Sequence, residues 1–241
     1  MKKINIVAFL LVIWTSFALV SCVISPFHIK GNGILMTSEI SASQFERINS
    51  GGSAEVRFHL SPEYRVDLTA DSNIIEFVEI TTRGNTLHIG TKNGYSLSFT
   101  KWLVDVYSPE LTGISIAGSG TFKSEDIIVA SKFNSSVSGS GRIEGLIETD
   151  NFSATISGSG RITVAGYSND SSINISGSGR FSGLDFCINN ANVRISGSGY
   201  ADICVSDNLS ANISGSGRIH YRGEPSIDPI IISGSGRINK L

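Results

Sequence analysis

From Ile114 onward, apolar and polar side chains alternate with a period of two, and the pattern restarts about every 19 residues. In one unit Ile173, Ile175, Gly177, Gly179 and Phe181 fall on one side, and Asn174, Ser176, Ser178 and Arg180 on the other. The same division holds for Ile114, Ile116, Gly118, Gly120 and Phe122, and for Ile156, Gly158, Gly160 and Ile162. Period two marks a strand with one buried face. The tripeptide Gly-Ser-Gly begins at Gly118, Gly139, Gly158, Gly177, Gly197, Gly215 and Gly234, at spacings of 21, 19, 19, 20, 18 and 19 residues. Such units are too short for a helix pair. Most hold a second apolar run, as in Ile127-Ile128-Val129, Leu146-Ile147, Leu184-Asp185-Phe186 and Ile203-Cys204-Val205. Equivalent strands pairing in parallel about 4.8 Å apart predict an all-β fold, a parallel β-helix over residues 116–241.

The punctuation agrees with that reading. Asn151, Asp170, Asn190 and Asn208 each precede a Gly-Ser-Gly by seven residues. Both residue types tolerate the left-handed backbone of a tight corner, and amides on neighbouring coils can bond to one another along the axis. Glycine inside a strand costs roughly 0.5–1 kcal/mol of backbone entropy, so the two glycine columns need a reason. Strict alternation points them inward, leaving room for Ile and Phe from the opposite wall; a bend or bulge is the competing account. No copy completes a dinucleotide-binding glycine pattern, because Gly158-Ser-Gly160-Arg-Ile ends in Thr163.

Residues 30–115 read differently. Val66-Asp-Leu68, Ile74-Ile75, Phe77-Val78, Leu87-His-Ile89, Leu97-Ser-Phe99 and Leu103-Val-Asp-Val106 are short strand-like runs without helix signals. Lys92-Asn93-Gly94 is a tight-hairpin signal. Phe45-Glu-Arg-Ile-Asn-Ser-Gly51-Gly52-Ser looks like a degenerate first copy of the repeat. The region is expected to cap the first coil, whose open edge needs cover.

The front of the chain changes the picture of where the protein works. Lys2 and Lys3 precede an apolar run, Ile4 to Val20, that leads into Leu19-Val20-Ser21-Cys22. This is the lipobox arrangement of an exported bacterial lipoprotein: residues 1–21 as signal peptide, Cys22 as the lipidated residue, and 22–29 as a tether. Acyl chains hold such a protein at a membrane, at about 0.8 kcal/mol per buried methylene. The expected location is the outer membrane, with the periplasmic or surface face left open. Without Lys2 and Lys3 the chain has 17 basic and 21 acidic residues, a net of −4 and no footprint for nucleic acid. Cys187 and Cys204 remain. An oxidising compartment permits a disulfide between adjacent coils, but the two positions differ by three residues within the repeat, which favours two buried free thiols.

The lipobox, Gly31-Asn32-Gly33, Phe45-Glu-Arg-Ile, Leu87-His-Ile89 and the iterated Ile-Ser-Gly-Ser-Gly together resemble the auto-transporter adhesin head domain family, the head GIN domain, over residues 30–241. The resemblance implies a secreted or outer-surface protein of Bacteroidota with a right-handed parallel β-helix. It implies no catalytic residues and no cofactor, and its adhesin label is itself an inference from architecture.

No catalytic constellation stands out. His28, His59, His88 and His220 share no metal-ligand spacing, and no Gly-x-Ser-x-Gly elbow exists. Glu144, Glu148, Asp150, Asp185, Asp202 and Asp207 read as scattered solvated surface. The ordered chemistry is the outward face of the motif. Ser138, Ser157, Ser176, Ser196, Ser214 and Ser233 form one expected column, and Ser140, Ser159, Ser178, Ser198, Ser216 and Ser235 the next. Arg142, Arg161, Arg180, Arg218 and Arg237 form a third, with Thr121 and Tyr200 in place of arginine. Stacked like charges oppose the fold. The plain account is that the guanidinium groups splay into water while their stems cover apolar edge. The functional one is a strip that binds an acidic or hydroxyl-rich glycan or other surface polymer, since arginine suits bidentate recognition of carboxylate or sulfate. A homo-oligomeric envelope scaffold and a pectin lyase-like polysaccharide enzyme are the alternatives; the enzyme needs clustered Asp residues, or a Ca²⁺ site with a basic residue, in a groove, and three or more converging carboxylates there would favour it.

Overall fold

The structure is a computed structural model that describes residues 27–241, the side chain of Asp228 excepted. The signal segment, Cys22 and most of the tether lie outside the described residues. The strands in chain order are β1 (Phe27–Lys30), β2 (Leu35–Ser41), β3 (Arg47–Gly52), β4 (Glu55–Leu60), β5 (Arg65–Asp71), β6 (Val78–Arg83), β7 (Thr86–Thr91), β8 (Tyr95–Ser98) and β9 (Trp102–Ser108). They continue with β10 (Gly113–Gly118), β11 (Thr121–Gly139), β12 (Arg142–Gly158), β13 (Arg161–Gly177), β14 (Arg180–Gly197), β15 (Tyr200–Gly215), β16 (Arg218–Arg222), β17 (Ser226–Gly234) and β18 (Arg237–Lys240).

Strands β11 to β15 stack in parallel, and one turn of the chain separates each from the next. Ile143 pairs with Ile162, Ile156 with Ile175 and Gly158 with Gly177; the following coil repeats this with Phe181, Ile195 and Gly197. The result is the expected all-β parallel solenoid, of about seven turns. Alternation buries one residue in two. Ile116, Val137, Ile156, Ile175, Ile195 and Ile213 form one buried row, and Phe122, Ile143, Ile162, Phe181, Ala201 and Ile219 another. Each large member contributes about 1.5–3 kcal/mol of burial. Volumes offset along a row, with Ala201 above Phe181, while the rings of Phe133 and Phe152 stack in parallel at 6.4 Å.

The two glycine columns turn out to have separate causes. Gly158 has φ +112, and a Cβ there would lie 2.7 Å from the Gly139 carbonyl oxygen of the coil before. It makes the corner, as the competing account required. Gly160 is buried, and a Cβ there would meet Val137 Cγ1 at 2.3 Å. Its room is taken by the neighbouring coil's inward side chain, not by the opposite wall. The asparagine corner also differs from expectation: among the described residues no non-glycine residue has positive φ. Asn and Asp serve there as a ladder. The Asn208 amide donates to Asn190 at 2.7 Å, and the Asn190 amide to Asp170 at 3.0 Å.

Parallel stacking extends back into the non-repetitive region. β3 pairs with β10, setting Gly52 opposite Gly118, as a first degenerate copy should. β7 lies beside β3, and β9 beside β4. Antiparallel partners then take over: β6 pairs with β7, β5 with β9, and β2 with β5. The tight hairpin is at Gly84-Asn85, between β6 and β7. Lys92-Asn93-Gly94 joins β7 to β8, but β8 pairs in parallel with β1 instead of folding back on β7. Ile75–Phe77, read from sequence as extended, forms one turn of 3-10 helix.

Asp71 anchors this end. Its carboxylate is buried and accepts hydrogen bonds from the amides of Gly33 and Thr100, both at 2.8 Å. Gly31 packs so closely that a Cβ would come within 2.4 Å of the carboxyl group, and Gly33 has φ +76, so each glycine of Gly31-Asn32-Gly33 has its own reason. Burial pushes the Asp71 pKa up, but the hydrogen bonds from Thr100, Gly33 and Lys101 outweigh it and hold the pKa below the usual carboxylate value.

Candidate functional site: a serine and arginine strip

The solenoid register decides which outward residues meet. Arg142 pairs with Arg161, Arg161 with Arg180, Arg180 with Tyr200, Tyr200 with Arg218, and Arg218 with Arg237. All five arginines therefore stand in one column with Tyr200 inserted. The first serine column is equally continuous from Ser138 to Ser233. Ser159, Ser178 and Ser216 lie on the glycine corner, exposed, where their backbone amides donate to Gly139, Gly158 and Gly197 carbonyls at 2.9 Å. Those bonds place one exposed serine per coil at the same point of the corner.

Like charges at strand spacing need compensation, and the centre of the strip supplies it. Arg180 Nη1 donates to Asp202 Oδ2 at 3.1 Å, while Asp202 Oδ1 meets His220 Nδ1 at 3.0 Å. The guanidinium groups of Arg180 and Arg218 approach the Tyr200 ring at 4.9 and 5.5 Å from its centroid, and Arg218 also donates to the Tyr200 hydroxyl at 3.2 Å. Tyrosine in the arginine column thus moves two cations two rungs apart and attracts both. Sequence alone places Asp202 among scattered surface acids, and the structure differs. The Asp202 side chain is only 17% exposed and holds two partners. The signal was parity: Tyr200 to Asp202 and Arg218 to His220 are both two residues apart, so all four share a face.

Glu144, Asp185 and Asp202 line one groove of about 450 Å³, but Asp202 is engaged by Arg180 and His220. Among the described residues no group of three His, Cys, Asp or Glu side chains could hold a metal ion. A second charged groove, with Glu55, Arg57, His59, Lys123, Glu125 and Asp126, contains exposed pairs Arg57–Glu55 and Lys123–Glu125, both at 2.6 Å. Exposed pairs of this kind contribute little stability. A third groove, of about 490 Å³, runs along the asparagine ladder and is lined by Lys132, Asn151, Asp170, Ser172, Asn190 and Asn208. Asn151, Asp170, Asn190 and Asn208 are expected from the repeat to be architectural, and the bonds from Asn208 to Asn190 and from Asn190 to Asp170 agree.

The two remaining cysteines are neighbours. Three residues of β14, Leu184 to Phe186, bulge out of register between Gly183 and Cys187, so Cys187 pairs with Cys204. The difference of three within the repeat is absorbed there. Neither is buried, Cys187 being exposed and Cys204 half-exposed, and the two sulfurs are not bonded in this structure.

Comparison with known proteins follows the same architecture. Residues 44–225 match the family profile described as "Putative auto-transporter adhesin, head GIN domain". A crystal structure of a "putative lipid binding protein" from Parabacteroides distasonis is 31% identical, with TM-score 0.75, covering 89% of this chain and 99% of that one. A "putative adhesin" from the same species is 25% identical, with TM-score 0.74, over 89% of this chain and all of that one at 100%. A "putative adhesin" from Bacteroides fragilis shares the fold at TM-score 0.84 and 20% identity, over 88% and 100%. No curated protein matches the chain.

Proposed function

The chain belongs to the auto-transporter adhesin head GIN domain family, and from that premise we propose a non-enzymatic, adhesin-like protein of the cell envelope that binds an extended anionic or hydroxyl-rich polymer along its solenoid. Cys22 is its lipid anchor to the outer membrane in this reading, and the strip Arg142, Arg161, Arg180, Arg218 and Arg237 with Ser159, Ser178 and Ser216 is the binding surface. The observation that carries the proposal is the unbroken register of that column, one cation or hydroxyl per coil. A polymer presenting carboxylates or sulfates at regular intervals meets regularly spaced guanidinium donors. The names of the similar proteins, adhesins and a lipid-binding protein, agree with a binding role and not with catalysis.

Retention on immobilised uronic-acid and sulfated polysaccharides tests it. The unmodified protein is expected to be retained at low salt and released as salt screens the strip. Changing Arg161, Arg180 and Arg218 together to Ser should abolish retention while melting temperature stays close to that of the parent. Unchanged retention would overturn the assignment.

One observation favours a second reading, association of copies. Among the described residues β17 and β18 each have a pairing partner on one side only, and Ile227, Ile230, Ile231 and Ile232 are exposed there. An open apolar edge invites strand addition. Mass that rises with concentration in light scattering supports this scaffold, and a concentration-independent monomer removes it.

A further inference from the structure

We propose that Cys187 and Cys204 form a disulfide that staples two neighbouring coils across the one bulged rung between β14 and β15. Two observations and the ordinary spacing of strands converge. The cysteines are direct register partners in a parallel pair. Neighbouring strands lie about 4.8 Å apart, within the roughly 4.4–6.8 Å between Cα atoms that a disulfide spans. The rung is also locally irregular, with register shifts on both sides of it, between Gly183 and Cys187 and between Ile188 and Asn190. A cross-link there ties together strands whose ladder is interrupted.

Arg222 occupies the next rung of the same column, opposite Cys204, and donates to the Leu184 carbonyl inside the bulge. Its charge favours a thiolate at Cys187. Desolvation and then the Cys204 thiol act the other way, and together they keep the Cys187 pKa above the ordinary thiol value. Cys187 is the exposed member, so it meets the oxidant first. The oxidant is a disulfide-bearing thiol oxidant. The Cys187 thiolate attacks one of its sulfurs and forms a mixed disulfide, releasing the first thiol. The Cys204 thiolate then attacks the Cys187 sulfur, forming the Cys187–Cys204 bond and releasing the second thiol. Two protein thiols are oxidised and one external disulfide is reduced, and the protons given up by Cys187 and Cys204 end on the two released thiols.

Trypsin separates the partners cleanly, because Arg180, Arg194 and Arg218 place Cys187 in peptide 181–194 and Cys204 in peptide 195–218. The full chain is equilibrated with oxidised glutathione, alkylated under denaturing conditions and digested. The expected product is the two peptides linked, separated by reductant, with neither cysteine alkylated before reduction. Cys187→Ser and Cys204→Ser must each abolish the linked product, and the parent alone must lose thermal stability on adding reductant. Recovery of both cysteines alkylated, or each joined only to glutathione, overturns the proposal. Neither result bears on polymer retention by the arginine strip, so the two readings fail separately.

Discussion

The repeating coils and the N-terminal region solve the same problem by opposite means. In residues 121–222 the coils are positioned mainly by likeness, with Ile156 over Ile175, Gly158 over Gly177 and Asn190 over Asn208. In residues 27–108 the elements are unlike one another, and one buried carboxylate, Asp71, fastens Gly33 and Thr100 from distant parts of the chain. Repetition spreads the specification of register over many equivalent contacts, whereas the hub concentrates it in one. The first should tolerate loss of an outward side chain and resist a change in backbone geometry. The second should be sensitive to one titratable group.

The largest effect is expected at the glycine corner. Gly158→Ala imposes a Cβ at positive φ and against the Gly139 carbonyl, so it should cost on the order of 2–5 kcal/mol. Gly145→Ala sharpens the contrast: the nearest atom to its Cβ is Ile147 Cγ1 at 3.9 Å, so denaturant midpoints should be unchanged or slightly raised. Equal losses at both positions would remove the geometric account of the corner.

Asp71 breaks the comparison from the other side. Its folded pKa is depressed, so the stabilisation it provides is complete above the unfolded carboxylate pKa, about 3.9, and is lost as pH falls through the lower folded value. On acidification, the protection factors of the Gly33 and Thr100 amides should fall before those in β12 to β14. Asp71→Asn should speed exchange at those two amides already at neutral pH. Loss of protection in the coils first would contradict the hub.

The smallest loss belongs to the ladder. Asn190→Ala removes bonds to Asp170 and Asn208 at a half-exposed corner, so chemical denaturation should report a loss of about 1 kcal/mol.

The same division explains what could be read from the sequence. The coils were legible because their inward residues recur with the repeat, so one register assignment fixes every column, including Arg142 to Arg237. The first degenerate copy at Phe45 was legible for the same reason. Lys92-Asn93-Gly94 misled because turn chemistry specifies a turn, not a partner, and β1 captures β8. Cys187 and Cys204 looked mismatched because a bulge is invisible to residue counting. Asp202 was passed over because its partners, Arg180 and His220, lie on neighbouring coils and become adjacent only through stacking. Asp71 gave no local signal, since its donors are 38 and 29 residues away.

Stacking itself is best tested by distance. With Cys22, Cys187 and Cys204 changed to Ser, nitroxide labels at Ser157 and Ser233 should report a narrow distribution near 19 Å, four rungs of about 4.8 Å. Moving the second label one coil back, to Ser214, should shorten the distance by about one rung. Broad distributions, or a distance that does not step with the coil, would contradict the solenoid and with it the arginine column.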